Sequence, residues 1–124
     1  MGLTTAFRDY VCTKVTAGTG ALYDPTTGHL GVGDGTAAFG SGQIDLQGTN
    51  KTRQQCSSCG AAANVITAVA TFGSAAANHA WQEMALFNAS SAGTMMQRVV
   101  SNQGTKASGS WQLTLSITIT VPAT

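Results

Sequence analysis

The stretch CSSCG, which carries Cys56 and Cys59, is the spacing in this sequence best suited to chemistry. A Cys-x-x-Cys can supply half of a structural zinc site or a dithiol redox pair. A structural zinc site takes four ligands. The other candidates, Cys12, His29 and His79, stand singly, with no second paired spacing. A thioredoxin-type pair opens a helix after a strand, whereas Ser57 and Ser58 place this pair in a turn-like setting. The reading that follows is a turn with two ordinary thiols. A disulfide within the pair or between subunits is open to it once the protein leaves a reducing compartment. Cys12 falls in a helical stretch and is expected to behave as a small buried hydrophobe.

Other spacings promise less. GVGDGT, residues 31–36, lacks the Lys of a phosphate-binding loop and the spacing of a dinucleotide fingerprint, so it reads as a tight β-turn. His29 and His79 have no visible partner, and no nucleophile-elbow spacing supports a Ser-His-Asp set. Glu83 is the sole glutamate, and one carboxylate cannot supply both acid and base to a glycosidase scheme. Its expected partner is Arg98 on an adjacent strand or a residue of a neighbouring subunit. Asp24, Asp34 and Asp45 lack EF-hand spacing; a loop calcium site is the one metal reading they leave. NKT and NAS match the glycosylation pattern, which has meaning only on a secretory route.

The elements that must position these residues begin with LTTAFRDYVCTKV. Leu3, Phe7, Tyr10, Val11 and Val15 share one helical face, so a short amphipathic helix is predicted over residues 3–15, stopped by the glycines of TAGTG. A Pro turn at YDPTTG leads to a short strand from His29 to Gly33. The following segment reads as irregular, with one helical turn near 43–47, and NKTRQQCSS as an extended polar run. Strands are predicted at 64–73, 79–89 and 94–104, joined by Gly-, Ser-, Ala- and Asn-rich loops. In the second of these, Trp81, Glu83, Ala85 and Phe87 share one face. The last run, WQLTLSITITV, alternates strictly, with Trp111, Leu113, Leu115, Ile117, Ile119 and Val121 on one side and Gln112, Thr114, Ser116, Thr118 and Thr120 on the other. The first set is expected in the core, joined by Phe72 and Phe87. One sheet alone would leave its apolar side wet, so the fold class is mainly β: a single domain over 1–124, a small antiparallel β-sandwich with one short N-terminal α-helix. Trp81, Trp111 and Tyr23 would be the stacking platform of a carbohydrate-binding sandwich, but the tryptophans fall on faces assigned to the core.

Composition narrows the function classes. The chain has 124 residues, 43% apolar and only 9% charged, with a formal net charge of +1, where about 25% charged is ordinary. Its charges are spread singly, with no basic stripe for nucleic acid and no basic amphipathic helix for a membrane surface. No stretch approaches the roughly 20 apolar residues of a membrane span. MGLTTAFRDYVCTK shows no secretory h-region and is a poor myristoylation match, so synthesis and folding in the cytoplasm are expected. A near-neutral surface of low charge density favours association over monomeric solubility.

The order of segments is itself a signal. A short helix AFRDYVCTKV is followed by HLGVGDGTAAFGSGQIDLQGTNKTR, then by VATFGSAAANHAWQEMALFNASSAGTMMQRVV, then by the alternating strand. This resembles small virion proteins of tailed bacteriophages, with the likeness carried by Gly31 to Gly35, Asp45 to Lys51, Phe72, Trp81, Glu83, Phe87, Asn88 and Gly93-Thr94, over about residues 6–120. The resemblance implies a non-enzymatic structural protein of the virion, without cofactor, forming homo-oligomers and contacting the major capsid protein or other virion proteins. Capsid decoration that stabilises the head is the leading expectation, and a tail, neck or fibre-associated protein touching a host receptor is the alternative. Cys56 and Cys59 depart from the pattern of that family, which leaves room for a covalent staple particular to this chain.

Overall fold

The computed structural model describes residues 2–120. Its elements in chain order are β1 (Gly2–Leu3), α1 (Thr5–Ala17), β2 (His29–Gly33), β3 (Lys51–Gln55), β4 (Ser58–Ala62), β5 (Val65–Phe72), β6 (Glu83–Phe87), β7 (Met95–Val100) and β8 (Trp111–Thr118). Five strands form one sheet in the order β1-β7-β6-β2-β3, and three form a second in the order β4-β5-β8. All pairings are antiparallel. The architecture is a small β-sandwich with one N-terminal helix. No helix among the described residues is long and apolar enough to cross a membrane.

The main core lies between the sheets. Leu30, Val32, Met84, Leu86 and Met96 of the larger sheet meet Ala68, Ala70, Phe72, Leu115 and Ile117 of the smaller one. The alternation in β8 produces this directly: Leu115 and Ile117 are buried, Trp111 and Leu113 are half-buried, and Gln112, Thr114, Ser116 and Thr118 are exposed. The strand stops before Ile119, whose side chain is 41% exposed, so the expected core stripe is one residue too long at this end. Val121 lies outside the described residues.

The helix departs from its expected register of burial. Thr4 caps it, its Oγ1 accepting from the Phe7 N–H at 3.0 Å, and Gly18, at φ 70°, closes it with an N–H to the Lys14 carbonyl. Only Phe7 of the helix is buried. Leu3 belongs to β1, paired with Gln97, and Val11, Val15 and Cys12 are exposed. Phe7, Tyr10 and Tyr23 instead pack ring against ring, with centroids 5.4–5.9 Å apart. The helix thus docks through one end of its apolar stripe, which corrects the buried role expected of Cys12.

The middle of the larger sheet is buried on both faces. Every residue of β6 is buried, which one dry face cannot explain. A second cluster of Leu46, Ala85, Phe87 and Met95 lies on the far side, under the long segment 34–50. Phe87 therefore fills a different core from Phe72. Trp81 precedes β6 and sits in the main core against Phe72 and Trp111, so it does not share the face of Glu83 and Phe87. The helical turn expected near 43–47 does not form. The N–H groups of Gln47 and Gly48 point to the Glu83 carboxylate rather than to helical carbonyls.

Candidate functional site

Glu83 opens β6 on the face covered by the 34–50 segment. Its Oε2 accepts from the N–H of Gly35 at 2.9 Å and of Gly48 at 2.7 Å, while Oε1 accepts from the Gln47 N–H at 2.7 Å and from Arg98 Nε at 2.7 Å. The Arg98 Nη1 donates onward to the Ala37 carbonyl and the Gln43 side chain. Burial alone would raise the Glu83 pKa; the N–H of Gln47, the guanidinium and the N–H groups of Gly48 and Gly35 outweigh it and hold the carboxyl below its usual range. Every carboxylate oxygen is engaged by its own chain. The pair acts as a clamp that ties a long loop to the sheet. Asp34 closes the loop's neck by accepting from the Asn50 side chain at 2.7 Å and main chain at 3.1 Å, contacts that hold its carboxyl low.

Beside the clamp, a shallow hollow of about 280 Å³ is lined by Asp45, Lys51, Arg53, Ser90 and Ser91. One carboxylate, Asp45, faces two cations there, Lys51 and Arg53, which leaves a net positive charge. Lys51 and Arg53 lie 3.2 and 3.4 Å from the Asp45 carboxylate, and Arg53 also donates to the Ala89 and Ala92 carbonyls and stacks 3.5 Å over the Phe87 ring. Lys51 Nζ makes a single bond, to Asp45, and its side chain is 39% exposed, so donor capacity remains at the rim.

The other candidates are kept apart. Among the described residues no group of three His, Cys, Asp or Glu side chains could hold a metal ion. His29 contacts the Thr27 carbonyl, and His79 contacts the Ala80 carbonyl and the Thr52 hydroxyl. Asp24 accepts from the N–H groups of Thr26 and Thr27 in a tight turn. Trp81 is 2% exposed and edge-on to Phe72 and Trp111, so no sugar-stacking platform exists there. Cys56 and Cys59 are free thiols, the first buried and the second half-buried. Sequence reasoning passed over Lys106. It is fully buried and donates to the carbonyls of Gly73 and Ala76 and the side chain of Asn78 at 2.7–2.8 Å. An isolated Lys in a loop carries no pattern that announces such a role.

The outer face of the smaller sheet is a continuous uncharged surface. Cross-strand rows run Thr118–Val65–Ala62, Ser116–Thr67–Gly60 and Thr114–Val69–Ser58, with Gln112 beside Thr71. None of these side chains is charged, and all but the two valines are exposed. At the margin of this face, β8 pairs with β5 alone among the described residues. Ile119 donates its N–H to the Asn64 carbonyl, so alternation turns the N–H and C=O groups of Gln112, Thr114, Ser116 and Thr118 away from β5, toward the open edge. Such an edge, with neither charge nor proline, is a template for pairing with another chain.

Comparison with protein-family models, with curated proteins and with solved structures gives no match.

Proposed function

We propose that this chain is a non-enzymatic structural protein of a bacteriophage virion, and that it decorates the capsid as a cement protein. The observation that carries the reading is the uncharged Thr-, Ser- and Val-bearing outer face of β4, β5 and β8, bordered by a strand edge that no described residue pairs. Docking such a face on protein strips no ion of its water, so the large desolvation cost of buried charge is avoided. Its hydroxyls can exchange bonds to water for bonds to a neighbour. A lattice presents many identical sites, and modest affinity per copy becomes firm attachment when copies also touch one another. The resemblance of the segment order to phage virion proteins supports the same reading.

The test is to mix the purified protein with undecorated capsids. Co-sedimentation together with a higher temperature of shell disruption is the expected result. Failure to co-sediment, or attachment confined to tails, counts against decoration.

A further inference from the structure

We propose that Cys56 and Cys59 form an asymmetric dithiol, which a low-molecular-weight disulfide such as glutathione disulfide converts to an intramolecular Cys56–Cys59 bond. Cys59 is the attacking thiol and Cys56 the resolving one. The inference is independent of the virion reading.

Residues three apart on a regular strand point to opposite faces. Here one extra residue corrects the parity. Ser58 is paired with Val69, yet Ser57 also donates its N–H to the Val69 carbonyl at 2.8 Å. Two residues opposite one is the arrangement of a β-bulge. Cys59 then lies opposite Ala68, which is fully buried, and both cysteines pack with the main core. Cys56 is 4% exposed and anchored by its N–H to the Gly28 carbonyl. Cys59 lines a surface hollow of about 410 Å³ with Pro25, Ser58, Gly60 and Thr67. Cys59 is thus the more accessible residue of the two and Cys56 the shielded one. The neighbouring Cys56 thiol holds Cys59 below its usual range; the Cys59 thiol, together with burial, pushes Cys56 up.

The reaction balances as two exchanges. The Cys59 thiolate attacks one sulfur of glutathione disulfide, forming a mixed disulfide and releasing one glutathione thiolate. The Cys56 thiol gives its proton to a thiolate, attacks the Cys59 sulfur and expels the second glutathione. The two cysteines are oxidised, and the glutathione disulfide is reduced to two thiols. The product staples the corner where the chain leaves the larger sheet at β3 and enters the smaller one at β4.

The test uses the full chain with Cys12→Ser, which removes the exposed third thiol, incubated with glutathione disulfide and followed by mass spectrometry. The expected product has lost the mass of two hydrogens, with Cys56 and Cys59 linked in one peptide. In the Cys56→Ser variant one glutathione should remain on Cys59; in the Cys59→Ser variant Cys56 should stay unmodified. Unreacted thiols, a stable glutathione adduct on the parent chain, a bond between chains, or glutathione on Cys56 in the Cys59→Ser variant would each overturn the proposal. The parent chain alone decides the bond, so a variant that fails to fold does not block the test.

Discussion

Arg98 Nε lies 2.7 Å from Glu83 Oε1, with both side chains fully buried. The residues sit on neighbouring strands, where the direct partners are Glu83 with Val100 and Ala85 with Arg98, so the ion pair is a diagonal contact. Removing one member of a buried pair strands the other's charge, which costs about 3–5 kcal/mol. Glu83→Ala also releases three loop N–H groups. Urea unfolding should therefore show a loss of that size, with new protease cleavage inside 34–50. A loss below about 1 kcal/mol would mean that the pair behaves like a surface contact.

The same carboxylate gives the fold an acid limit. Its folded pKa is depressed, so its contribution is fully present above the unfolded value of about 4.3 and is lost as pH falls through the lower folded value. Denaturant midpoints measured from neutral pH downward should decline through this window. Glu83→Gln should flatten part of the decline, and an unchanged profile would separate Glu83 from the acid response.

Gly35 tests why the loop needs its glycines. A Cβ there would meet the Gly48 nitrogen at 2.6 Å and crowd Glu83 Oε2. Gly35→Ala should cost about 1–3 kcal/mol, as overpacking does. Gly60→Ala, with nothing within 4 Å of the added atom, should stay within about 0.5 kcal/mol. Equal effects from the two substitutions in thermal unfolding would remove the clamp as the reason.

The C-terminal strand supplies a paired contrast. Ile117 is 1% exposed and Ile119 is 41% exposed. Ile117→Ala should cost about 2–5 kcal/mol, whereas Ile119→Ala should cost well under half as much in the same denaturation assay. Matching losses would place Ile119 under cover in solution.

This contrast shows what the residues alone disclose. Period-two alternation in β8 announces the sandwich because each side chain reports its own face, and the strand's eight residues follow it. Where both faces of a strand are covered the signal vanishes. β6 reads as Glu-Met-Ala-Leu-Phe, and nothing local says that 34–50 folds over it. The Glu83–Arg98 contact was legible because a sole glutamate and an arginine fell on predicted neighbouring strands. Its loop partners were not, since they are backbone N–H groups that any residue type carries. Phe7 was legible as core. Val15 was not legible as exposed, because a helical stripe gives direction and not the extent of what covers it.

The assembly reading leads to a prediction at Thr67, which stands mid-face between Ser116 and Gly60. Its side chain is exposed, so Thr67→Lys should change unfolding free energy by no more than about 0.5 kcal/mol. A docked face, in contrast, would have to bury the new ammonium without a partner, at a cost of several kcal/mol per ion. Repetition over a lattice multiplies that loss at every copy. Capsid co-sedimentation of the lysine variant should therefore fall steeply while its melting temperature stays put, and Thr67→Ser should bind as the parent does. Full binding by the lysine variant would move the contact surface away from β4, β5 and β8, with the helix end around Val11 and Ile119 the next apolar face to examine.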